Sequence, residues 1–150
     1  MQYFKTLILP LAVFAVLPAT ASAAGDATTC KIYGKIGGAI TDFMLPLTMQ
    51  DLVNILTDKD PVLSTKMTTV IVEALDTNDI VSLTELGDEA AGLMGEAAGQ
   101  VAIELLMSGQ ASSGAEIVSI MDSTCQSVGF EGIISNQRDA RNSLSKIMGE

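Results

Sequence analysis

The stretch EAAGLMGEAAGQVAIELLM, residues 89–107, decides the fold. By hydropathy alone it could pass for a membrane segment. Glu96, Gln100 and Glu104, however, lie four residues apart and share one face of an α-helix. Ala90, Met94, Ala97, Val101 and Leu105 share another. A polar line beside an apolar line makes an amphipathic helix, with Asp88 at its N-cap and Gly109 closing it.

Working outward, the same helical spacing recurs. Residues 31–44 carry the stripe Ile32, Ile36, Ile40, Phe43 and Met44, with Thr29 as the expected N-cap and Pro46 as the stop. Residues 49–56 follow Thr48 and Asp51, a capping box with Asp in place of Glu. Asp60 and Pro61 open a third helix, whose Leu63, Met67, Val70, Ile71, Ala74 and Leu75 are expected to be its buried face. Asp76-Thr77-Asn78-Asp79 reads as a break, and 80–86 as a short helical piece.

Ser113 and Glu116 spell a capping box before the face Ile117, Val118, Met121, Cys125 and Val128, which Gly129 ends. The polar tail 136–148, capped by Ser135, is expected to dock through Ala140, Leu144, Ile147 and Met148. Strand-type alternation is scarce and aromatic residues are few. The expected fold class is all-α: a compact single-domain bundle of five or six short helices with one disulfide.

The chain opens with Lys5, an apolar run from Leu7 to Leu17, and the small residues Ala21-Ser22-Ala23. That order is the pattern of a cleavable signal peptide over 1–23, leaving a single helical domain over 24–150. The run is shorter than the roughly 20 residues that cross a bilayer, and no later segment reads as a span. With no cysteine at the cleavage point, a lipid-anchored form is not expected. The reading sends the protein to a bacterial periplasm or outside the cell. There Cys30 and Cys125, an even pair, are expected to form a disulfide. Closing a loop of that length would contribute at most about 4–5 kcal/mol in the chain-entropy model.

Two GxxxG spacings occur, Gly34 with Gly38 and Gly95 with Gly99. Small residues let helix backbones approach closely. They predict that helices 31–44 and 89–107 cross near these glycines.

Several chemistries are disfavoured. The chain has no histidine, which removes Ser–His–Asp and Cys–His catalysis and His-ligated zinc. No glycine-rich phosphate loop and no CxxC pair is present. Counted from Asp76 as a calcium loop, the fifth position is Ile80, the sixth Val81 and the twelfth Gly87, so three requirements fail. Seven of the eight methionines lie beyond the leader, scattered in sequence and without histidine; they read as core filler rather than copper(I) ligands. A non-enzymatic protein without metal or cofactor is expected.

Losing Lys5 with the leader leaves seven basic against 18 acidic residues, a net charge near −11. Nucleic acid and anionic lipid would repel such a chain. A protein partner is expected, a basic one if charge steers the encounter. The acids to test first are Asp58 and Asp60, Asp76 and Asp79, and Asp88 and Glu89, all at helix ends. The leading expectation is an exported protein-binding module, such as an inhibitor, an immunity-type protein or a small chaperone. The alternative is a carrier that holds a lipid or small apolar ligand between methionine-rich helices. N-terminal sequencing of the exported protein should find Ala24 first; a chain still beginning at Met1 would remove the signal-peptide reading.

Overall fold

Helix starts follow from local hydrogen-bond chemistry. The computed structural model describes residues 27–149; the leader-like stretch and its cleavage site lie outside the described residues. The first helix, α1, occupies 27–44, so Thr29 sits within it and not at its cap. Helix α2, Met49–Leu56, opens on the expected box: Thr48 Oγ1 accepts from the Asp51 N–H, and the Asp51 carboxylate accepts from the Thr48 N–H. Helix α3, Pro61–Ala74, opens on Asp60, whose carboxylate accepts from the Val62 and Leu63 N–H groups.

Four acids expected to form a break or a cap behave otherwise. Asp76 and Asp79 form a reciprocal capping box that starts α4, Thr77–Leu86, directly after the extended Leu75. Asp88 is the first residue of α5, Asp88–Met107, and Gly87 is its N-cap. Helix α6, Gly114–Val128, is capped by Ser113, but the Glu116 carboxylate accepts from Ser112 and not from Ser113.

The helices number seven rather than five or six, and no strand occurs among the described residues. The additional helix is α4, a full helix where the sequence predicts only a short piece at 80–86, and two one-residue turns shape the junctions. Gly87 (φ 89°, ψ 161°) joins α4 to α5, and Gly129 (φ 86°, ψ 142°) joins α6 to α7, Phe130–Met148. That backbone region is essentially confined to glycine. The chain can therefore leave one helix and enter the next without a loop. Gly129 does not merely end α6, and Ser135 lies inside α7 rather than capping it.

The core is built around α1. Ile32, Tyr33, Ile36 and Ile40 are buried against Leu93, Met94, Ala98 and Ala102 of α5, Ile117 and Met121 of α6, and Phe130 and Ile134 of α7. Burial pushes the Tyr33 phenol up to about 12.

Helices α1 and α6 run antiparallel in near contact. A Cβ on Gly34 would lie 2.8 Å from the Val118 carbonyl oxygen, and one on Gly38 would lie 3.0 Å from that of Gly114. The Asp42 carboxylate accepts from the Gly114 N–H at 3.1 Å. At the other end Cys30 and Cys125 are joined as expected, with Cα atoms 5.5 Å apart.

The glycine crossing is therefore not the one expected. Gly34 and Gly38 face α6; Gly95 meets nothing within 4 Å, and Gly99 only Ile40, at 3.9 Å. The glycines of α5 lie where no backbone closes in.

Helix α7 docks through Phe130 and Ile134 and through ion pairs to α5, Arg138–Glu89 at 3.2 Å and Arg141–Glu96 at 2.5 Å. Its expected docking residues, Ala140, Leu144, Ile147 and Met148, are exposed instead. Likewise no residue of α3 is fully buried. Among the described residues no helix is long and apolar enough to cross a membrane.

Gly34→Ala should lower unfolding stability by about 1–3 kcal/mol, because a backbone carbonyl blocks the new methyl. Gly95→Ala should be neutral or stabilising by up to about 1 kcal/mol, since it gains helix propensity in open space. Urea denaturation of both variants measures the contrast; equal effects would contradict the α1–α6 contact.

Candidate functional site

The six acids singled out from the sequence do not converge on one surface. Asp60 and Asp76 cap helices, and Asp79 returns the capping bond to the Asp76 N–H. Asp79 is also 8% exposed and accepts from Lys35 Nζ of α1 at 2.5 Å, with Asp76 3.5 Å from the same ammonium. Glu89 pairs with Arg138. Only Asp58 and Asp88 have no side-chain partner among the described residues; Asp58 stands in a left-handed turn at φ 53°.

These contacts shift titrations. The hydrogen bond to Asp79 holds the Lys35 ammonium above its usual range. The Asp79 N–H holds the Asp76 carboxyl below its usual range, and the hydroxyl and N–H of Thr48 do so for Asp51. The Ser112 N–H, and then its hydroxyl, do so for Glu116.

What the fold does bring together is apolar. The C-terminal end of α1 supplies Ile40 and Met44, and the link after it supplies Leu45 and Leu47. Helix α2 adds its whole apolar side, including Met49, Leu52 and Leu56; α3 adds Met67. The end of α5 closes the far wall with Ile103, Leu106 and Met107. The result is an open groove of about 500 Å³ whose lining side chains, which also include Val53 and Ile55, are without exception apolar. Its volume falls within the usual range of small-molecule sites.

Its rim is strongly exposed: Met49 by 76%, Leu56 by 75% and Met107 by 83%. Four methionines from four different helices, Met44, Met49, Met67 and Met107, line it together. Met94 and Met121 fill the core as expected. Unbranched thioether side chains adapt to the shape of what they hold.

A smaller hollow of about 340 Å³ on the outer side of α3 is less suited to binding. Its Thr65, Thr68 and Thr69 hydroxyls donate back to carbonyls of Pro61, Ser64 and Thr65.

Sequence reasoning missed the groove because its members come from four helices and a link. The available signal was the one-sided apolar face of the short helix, Met49, Leu52, Val53 and Leu56. Among the described residues, no cluster of three or more His, Cys, Asp or Glu side chains suited to a metal ion occurs. In comparisons with family models, curated proteins and solved structures, the chain matches none.

Three depressed carboxyls predict an acid limb in stability. A group whose folded value is lowered contributes stability that is fully present above its unfolded value, here 3.8 for Asp51 and Asp76 and 4.5 for Glu116. That contribution is lost as pH falls through the folded value. Lys35, raised above 10.5, contributes below that value and loses its contribution as pH climbs past the folded one. Unfolding free energy should therefore hold from about pH 5 to about pH 10 and decline outside that window. Lys35→Met should remove the Lys35 share of the alkaline decline and cost about 1–2 kcal/mol at neutral pH, by leaving Asp79 without its cation. Denaturant melts across pH check both.

Proposed function

We propose that the protein is a non-enzymatic carrier that holds the acyl chain of a fatty acid or lipid in this groove. We further propose that it works outside the cytoplasm of a bacterial cell, where a leader of the type read at 1–23 would send it. The observation that carries the reading is a ligand-sized groove lined by apolar side chains only, four of them methionines.

An extended peptide would bring N–H and C=O groups that need partners, and the lining offers none from its side chains. An acyl chain brings no such groups. Protein docking, by contrast, usually involves about 800 Å² on each partner, a larger and more polar-rimmed surface. Burying ten methylenes is favourable by about 8 kcal/mol gross. Taken whole, that energy would give a dissociation constant of about 1 µM; the cost of ordering the chain weakens it to roughly tens to hundreds of micromolar.

The inhibitor or immunity reading draws less support. It would recruit the helix-end acids, and four of those six are already engaged in caps or ion pairs. A small chaperone is the second reading, favoured by the exposed Met49, Leu56 and Met107 around the rim.

Titration with cis-parinaric acid should give one saturable site from which palmitate displaces the probe. Met67→Gln or Ile103→Gln should weaken binding roughly tenfold, because each places an amide where only apolar atoms lie. Ile147→Gln, on the exposed end of α7, should leave it unchanged. Non-saturable probe uptake, or equal affinity in all three variants, would refute the carrier. Suppression of client aggregation without a palmitate site would favour the chaperone.

A further inference from the structure

We infer that α2 and α3 move together as a lid over the groove, swinging on the links at 45–48 and 75–76; the ligand in question rests on the carrier reading above. Neither helix contains a buried residue. The buried core is drawn from α1, α5, α6 and α7, with Ala111 from a loop. Only Ile71 and the adjoining Leu75 pack against it from the α3 side, and α2 sends nothing to it. Regions with few buried apolar contacts open at low free energy while the rest stays folded.

The pair is nevertheless stiff within itself. The capping box at Thr48 and the cap at Asp60 hold each helix start without help from the core. Between them the turn is tied by the Asp58 N–H to the Ile55 carbonyl at 3.1 Å and the Lys59 N–H to the Asn54 carbonyl at 2.8 Å. A self-capped helical hairpin can thus travel as one body.

The fixed boundary on its far side is sharp. Immediately after the extended Leu75, Asp76 and Asp79 tie the start of α4 to α1 through Lys35. On the near side Pro46 interrupts the chain just after α1. The two walls of the groove belong to different bodies: Ile40, Met44 and Ile103 to the fixed one, Leu52 and Met67 to the moving one. Apart from Ile40, which stays packed in the core, opening separates only partly buried side chains, and closing on an acyl chain covers them. Lids of this kind commonly gate exchange.

Hydrogen exchange on the full-length protein tests the motion without any ligand. Amides of 49–74 should exchange roughly tenfold or more faster than those of α5 and α6, while α4 stays with the body. A short bismaleimide across Val53→Cys and Met107→Cys should then lock the lid; the native cysteines are paired and do not compete. Palmitate added after tethering should enter roughly tenfold or more slowly, and palmitate loaded beforehand should be retained, relative to the untethered double variant. Protection of 49–74 equal to that of α6, or unchanged palmitate exchange after tethering, would overturn the lid. If palmitate fails to bind even the unaltered protein, the carrier reading fails, and the exchange rates alone decide the motion.

Discussion

The near contact of α1 with α6 is the constraint on which the remaining structure depends. Three glycines in α1 cost helix propensity. In return two backbones lie so close that a methyl at Gly34 would meet a carbonyl oxygen. The contact runs from the Cys30–Cys125 bond at one end to Asp42 and the Gly114 N–H at the other. With α1 thus fixed on one side, its isoleucines face inward and α5 and α7 can complete the core. The disulfide restrains the denatured chain across 95 residues, and it does so where packing already brings the two helices together.

Fold class and disulfide were legible because both rest on local or countable signals. Periodicity in 89–107, the Thr48 box and the Asp60-Pro61 start each name their element without tertiary information. The turns at Gly87 and Gly129 were half legible: glycine marks a helix end, but its permitted φ also lets a new helix begin at the next residue. The partner of Gly34 and Gly38 was not legible. Two small-residue ridges, one in each of two helices, suggested a pair, yet the groove that receives α1 is formed by Val118, Asp122 and Gly114. Those residues carry no small-xxx-small mark.

The acids show why charge is a poor guide to a site. An acidic residue at a helix start has a structural use: it satisfies open N–H groups and complements the helix dipole. Asp51, Asp60, Asp76 and Asp79 all do so, and Asp79 additionally ties α4 to α1. A helix-rich acidic chain therefore accumulates carboxylates at turns without any partner having selected them.

The groove follows from the same division of labour. Once α1, α5, α6 and α7 close a core, the apolar faces of α2 and α3 have nothing left to cover except the ends of α1 and α5. A short helix lacking buried residues would be a liability if its only role were packing, because exposed Met49 and Leu56 invite association. The high net negative charge opposes that association at long range. Short-range capture of an uncharged chain is left unaffected. Under the carrier proposal, an apolar rim on a strongly acidic body would disfavour its own copies and anionic surfaces, leave the uncharged hydrocarbon of a ligand unopposed in the groove, and keep a charged head group at the solvent side.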